Sequence, residues 1–112
     1  MFRSLTPLAL GALLVTGGAL ADPLGDAERG EKIFRQCQSC HQVGAGAVNR
    51  VGPHLNGVFG RTAGSIKGFK YSKSMARMGS DGLEWHIDTL HAYIENPKAL
   101  VSKTRMNFRG IK

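Results

Sequence analysis

Cys37-Gln38-Ser39-Cys40-His41 is the stretch from which the rest of this chain is best read. Two thiols three positions apart, with an imidazole directly after the second, make a CxxCH sequence, the pattern of c-type haem attachment. The chemistry explains the spacing. Each thiol can bond one vinyl group of the macrocycle, and the adjacent imidazole reaches the iron. A CxxC pair has two other readings. A thioredoxin-like redox pair belongs in a βαβ setting, which the flanking sequence lacks. A zinc site needs further thiolates or histidines at suitable spacing. His54, His86 and His91 are present, but there is no second cysteine pair. A disulfide between Cys37 and Cys40 would close only a tiny loop.

Upstream of this motif the chain opens with Met1, Phe2 and one charge at Arg3. A run of small and apolar residues from Leu8 to Leu20 follows, ending in Ala19-Leu20-Ala21. This pattern predicts a signal peptide, residues 1–21, cut after Ala21, and hence a periplasmic protein. The apolar run is shorter than the roughly 20 residues of a membrane span. Cleavage leaves one domain, residues 22–112. A chain of that length buries only a small core, so covalent or ligand support is expected.

The 112 residues carry 15 Lys and Arg against 8 Asp and Glu. Their distribution is uneven. Eight basic residues and no acidic one lie between Lys32 and Arg77, and Lys98, Lys103, Arg105, Arg109 and Lys112 follow the last carboxylate, Glu95. Such a surface steers acidic partners or anionic membranes. Export and the lack of a recognition motif argue against nucleic acid.

Local patterns predict little regular structure except helix. Asp26 suits a helix cap, and Ala27, Gly30, Ile33 and Phe34 recur at helical spacing, so a helix is expected from Asp26 to Gln36. Glycines punctuate the segment from Val43 to Ser80, which would be compact if it wrapped a large flat cofactor. A short helix is expected from Ser72 to Arg77, a turn from Gly79 to Leu83, and a helix from Glu84 to Glu95 that ends before Pro97. Residues 98–112 read as a loop.

His41 leaves a second axial position on the iron. Met75, Met78, Met106, His54, His86 and His91 are the candidates. Met106 stands out because it lies in a basic, loop-like stretch with no helical period to make it a core residue.

In order and spacing the chain resembles class I cytochrome c, near the bacterial cytochrome c2 and mitochondrial types. The resemblance rests on Gly25-Asp26, Gly30, Phe34, CxxCH at 37–41, Gly52-Pro53, Gly60-Arg61, Tyr71, Trp85, Tyr93, Asn96-Pro97, Met106 and Phe108. It implies an all-α fold with long Gly-rich loops, wrapped around one haem c per chain attached through Cys37 and Cys40. It further implies His41 and Met106 as iron ligands, and Pro53 as acceptor for the His41 ring. By the same resemblance Arg61, Tyr71 and Trp85 would contact a buried propionate, Tyr93 would lie near the methionine sulfur, and Phe108 would cover the haem edge.

Three departures from the family stand out. Its usual C-terminal helix has no counterpart after Gly110-Ile111-Lys112, so a truncated chain, a fragment or a different cover for Ile33 and Phe34 is expected. Ser102-Lys103 replace the usual Pro-Gly before the methionine, which predicts weaker or more exchangeable Met106 ligation. Met75 stands where asparagine is often found, next to a short insertion before Trp85.

The expected function is that of a soluble one-electron shuttle and not an enzyme. Its partners would be acidic-surfaced redox proteins, such as a reductase, an oxidase or a photosynthetic reaction centre, with transient contact to a membrane surface. A complete fold would be a monomer. The competing expectations are a subunit completed by another chain and a peroxide-reactive haem protein with labile methionine ligation.

Overall fold

The computed structural model describes Ser4, Pro7, Ala9, Gly11 and residues 25–112. The expected signal peptide and its cleavage point after Ala21 otherwise lie outside the described residues. The chain divides into two compact units, Met1–Lys32 and Ile33–Lys112.

Four helices occur among the described residues, α1 (Ala27–Phe34), α2 (Lys73–Ser80), α3 (Ile87–Glu95) and α4 (Pro97–Leu100). No strand forms among them; one isolated bridge joins Thr62 and Glu84. The fold is the expected all-α one.

The α1 helix begins as its sequence directs. The Arg29 N–H donates to Asp26 Oδ1 at 3.0 Å, and Glu28 places negative charge in the first turn. It stops two residues short of the expected Gln36. Gln36 N–H bonds to Ile33 O and Cys37 N–H to Phe34 O, tightening the backbone into the turns that carry the cysteines. Ile33 is exposed and Phe34 half-buried.

The α2 helix outruns its expected end at Arg77. Its start is capped by Ser72, whose Oγ accepts the Met75 N–H at 3.0 Å. Gly79, expected to open a turn, instead sits buried within the last turn of the helix. A Cβ there would overlap the Ala63 carbonyl, so the glycine lets α2 lie directly on the backbone at Ala63. The helix ends at Ser80, and past the Asp81 cap Gly82, with φ 104°, lets Leu83 N–H return to Met78 O.

The third helix starts later than expected, at Ile87 and not Glu84. Glu84 pairs with Thr62 in the bridge, and Trp85 lies in extended chain, with its N–H on Arg61 O and its carbonyl accepting from Gly60. Thr89 Oγ1 accepts the His86 N–H at 2.8 Å and so caps the start of α3. Pro97 ends this helix but also occupies the first turn of α4, where its missing N–H costs nothing. The expected loop over 98–112 therefore begins with a short helix, which packs against α3. The final residues fold back, with Ile111 N–H on Ile94 O at 2.8 Å.

The core is small. Ala63, Met75, Trp85, Tyr93 and Val101 are buried, with Val58, Tyr71, Met78, Leu83, Leu90, Leu100 and Met106 packed against them. Most of the aromatic and methionine candidates thus belong to the core or its margin. Substituting alanine at Gly79 distinguishes packing from helix propensity. Propensity alone favours Gly79→Ala by about 1 kcal/mol, whereas the overlap with Ala63 opposes it by about 1–3 kcal/mol. Denaturant unfolding of the haem-loaded protein is expected to show net destabilisation.

Candidate functional site

The turns after α1 bring Cys37, Cys40 and His41 together. Cys37 O accepts both the Cys40 N–H at 3.1 Å and the His41 N–H at 2.9 Å. One carbonyl thereby fixes the backbone from which all three side chains depart. Both cysteines are free thiols and half-buried. Burial pushes the Cys37 thiol up from its ordinary range, and the nearby Cys40 adds to the shift.

The His41 ring is held by the dipeptide Gly52-Pro53. Its Nδ1 lies 2.7 Å from the Pro53 carbonyl oxygen. A carbonyl can only accept, so Nδ1 carries the proton and, in the neutral ring, Nε2 carries the lone pair. Gly52 N–H donates to Cys40 O at 2.9 Å, closing the same loop from the other side. A Cβ on Gly52 would run into the imidazole, 2.7 Å from Nδ1 and 2.8 Å from Nε2. Glycine at 52 therefore gives the ring its room, a role that its place beside Pro53 signalled only as part of a pattern.

Side-chain amides shape the loop between these points. Asn56 clamps Gly44, accepting its N–H at 2.8 Å and donating to its carbonyl at 2.9 Å. Gln42 Oε1 accepts Val48 N–H, and Asn49 Oδ1 accepts His54 N–H, each at 3.0 Å. None of these amide residues was singled out from the sequence.

A second group forms around the core. The Trp85 and Tyr93 rings stack at 5.1 Å with an interplanar angle of 36°. Tyr93 OH lies 2.6 Å from Thr104 Oγ1, which also accepts the Met106 N–H at 3.2 Å. Thr104 was not singled out from sequence, yet it ties Tyr93 to the backbone carrying Met106. Burial pushes the Tyr93 hydroxyl up, opposed by its hydrogen bond to Thr104. Tyr71 is half-buried against the same core, its OH accepting Ile66 N–H at 3.1 Å and its ring edge-on to Phe69 at 4.8 Å. Phe108 is half-buried and joined to Met106 through backbone, N–H to carbonyl, at 3.0 Å.

Arg61 links the two groups. Its Nη1 donates to His54 O at 2.9 Å and Asn56 O at 3.2 Å, next to Pro53, while its own carbonyl accepts Trp85 N–H. No hydrogen bond among the described residues joins the His41 and Met106 side chains directly.

The other axial candidates are otherwise engaged. Met75 is buried in the core and Met78 packs on it. His54 Nδ1 accepts Asn56 N–H. His86 and His91 are exposed and face Glu84 and Glu95 at 3.1 and 3.8 Å. Among the described residues no group of three or more His, Cys, Asp or Glu side chains gathers, so nothing completes a zinc site around the CxxC pair.

The donor chemistry fits a covalently held haem. Two unpaired thiols precede an imidazole whose proton is fixed away from Nε2, and a half-buried thioether lies on the margin of an aromatic core. The comparisons agree. The family model described as Cytochrome c matches residues 27–107. Cytochrome c2 of Afifella marina is 54% identical over 83 residues, covering 74% of this chain and 67% of the relative. Cytochrome c2 of Blastochloris viridis is 40% identical over 105 residues, 94% of this chain and 80% of the relative. The solved cytochrome c2 from Rhodospirillum centenum superposes with a TM-score of 0.72 at 37% identity, covering 76% of this chain and 84% of that one.

The Gly52 contact gives a direct test. Gly52→Ala, expressed with periplasmic haem-attachment machinery, is expected to displace the His41 ring. Its ferric optical spectrum should then show a high-spin component absent from the parent protein.

Proposed function

The chain belongs to the class I cytochrome c family, and we propose that it uses His41 and Met106 as the two axial ligands of its haem. Membership makes it a carrier of one haem c, covalently attached through two cysteines, and of single electrons; it is not an enzyme. The bound haem supplies an iron that alternates between ferric and ferrous forms as one electron arrives and leaves.

The observation that best supports the axial assignment is the His41–Pro53 hydrogen bond of 2.7 Å. It orients the ring and fixes the tautomer that leaves Nε2 without a proton, free to ligate. Cys37 and Cys40 hold the macrocycle edge beside that ring. Met106 would supply a neutral sulfur as the second ligand, and pairing methionine with histidine raises the reduction potential. Thr104 fixes the Met106 backbone and orients Tyr93. The Tyr93 hydroxyl is proposed to lie near the methionine sulfur. Arg61, Tyr71 and Trp85 are proposed to receive a propionate. Arg61 has guanidinium N–H groups beyond those of Nη1 spent on His54 and Asn56, and the Tyr71 hydroxyl, having accepted from Ile66, can still donate. Phe108 is proposed to shield the haem edge near Met106.

We further propose that residues 1–21 are removed on export and that the soluble protein works in the periplasm. Its partners are proposed to be acidic-surfaced redox proteins. Lys98, Arg105 and Lys112 are exposed, and among the described residues none of them pairs with a carboxylate. Their charge is therefore left to speed encounter more than to strengthen the final complex.

Two measurements check this reading. Met106→Ala should abolish the weak far-red band of sulfur–ferric iron ligation and lower the midpoint potential, with the haem still covalently bound. An unchanged band would exclude Met106. The second-order rate of electron transfer to an acidic redox protein should fall about tenfold or more from low to high ionic strength. A flat salt profile would exclude electrostatic steering.

A further inference from the structure

Lys103 is the one residue other than glycine, among those described, whose backbone lies in the left-handed region, with φ 57°. It occupies the third position of a tight turn, Val101-Ser102-Lys103-Thr104, closed by Thr104 N–H on Val101 O at 3.2 Å. Positive φ confined to that position is the type II pattern, which calls for glycine or asparagine. A Cβ there crowds the carbonyl oxygen and stores strain, whatever the length of the side chain.

The turn cannot relax while both ends are held. Val101 is fully buried, with its N–H on Pro97 O at 3.0 Å. Thr104 is held by Tyr93 at 2.6 Å and supports Met106 N–H at 3.2 Å. Beyond it, Arg105 Nη1 reaches across to Lys70 O at 3.2 Å. Val101 is the firmer anchor because it is packed in the core. Thr104 and Arg105 hold the other side by polar contacts at partly or fully exposed positions. Rotating Lys103 to negative φ would therefore swing the 104–106 side outward, and Met106 with it.

We propose that Lys103 is a strained hinge whose relaxation withdraws Met106 and opens the sixth coordination position to a small neutral nitrogen ligand of the imidazole type. This rests on Met106 being the axial ligand. Relief of strain and loss of the methionine bond occur in one motion, so the stored strain offsets part of the cost of opening. Apparent affinity for an incoming ligand scales with the open fraction. The bond exchange is simple: the Met106 sulfur leaves the iron, the nitrogen lone pair takes its place, and no electron is transferred.

The test is imidazole titration of the ferric, haem-loaded protein, followed by loss of the far-red band and by amide hydrogen exchange at Thr104. Lys103→Asn and Lys103→Gly, which accept positive φ, should weaken imidazole binding about fivefold and slow exchange at Thr104. Lys103→Ala removes the charge but keeps the strain, and should stay close to the parent. Parent-like imidazole affinity in both relieved variants, with the band present, would overturn the hinge. So would a Lys103→Ala variant that matched them, since charge and not strain would then be responsible. A parent protein with no far-red band would remove the Met106 assignment itself, and the hinge with it.

Discussion

The hydrogen bond from His41 Nδ1 to the Pro53 carbonyl joins the two parts of the chain on which everything else depends. It couples the attachment motif to a loop twelve residues away and sets which ring nitrogen is free. Gly52 makes the contact possible by leaving the ring unobstructed, and its own N–H returns to Cys40. A short dipeptide thus sets both the position and the tautomer of the imidazole. From there, His54 and Asn56 receive Arg61, and Arg61 receives Trp85. The haem-attachment motif is in this way wired through backbone carbonyls to the aromatic core.

That core explains why a covalent group suits this fold. Among the described residues five hydrophobic side chains are buried, and large apolar side chains such as Val43, Val51 and Phe59 remain exposed. A small domain with so little buried surface is marginal without additional support. Val51 and Phe59 lie in the Gly-rich segment, where backbone turns and side-chain amides, not helix packing, set the course of the chain. Among the described residues the direct helix–helix contact is between α3 and α4; Gly79 brings α2 onto the Ala63 backbone. Helices here place side chains, while loops supply most of the site.

The attachment motif was legible from sequence because its chemistry is local: two thiols and an imidazole within five residues need no tertiary context. The roles expected of Pro53, Trp85 and Tyr93 came only through the order of residues along the chain, whereas Met106 also stood out by its basic, loop-like surroundings. Helix ends were less readable. The α2 helix continues through Gly79 because Ala63 packs where a side chain would stand, and no local pattern announces that contact. The α3 helix starts after Trp85 because Glu84 is drawn into a bridge with Thr62, a pairing 22 positions apart. Thr104 was missed for a similar reason. Its hydroxyl matters because Tyr93, eleven residues earlier, folds back onto it. The Ser102-Lys103 pair was noticed as a loss of stiffness, whereas the backbone adds a second effect, a residue held at positive φ.

The axial pair is the central claim, and methionine-methyl NMR of the ferrous, haem-loaded protein tests it most directly. A methyl group held over the face of the macrocycle experiences a large ring-current shift, while core methyls keep near-ordinary positions. With 13C-methyl-labelled methionine, one far-upfield signal is expected, and it should vanish in Met106→Leu while the signals of Met75 and Met78 remain. Ordinary shifts for all the methionine methyls, or an upfield signal that survives Met106→Leu, would contradict the assignment of Met106 opposite His41.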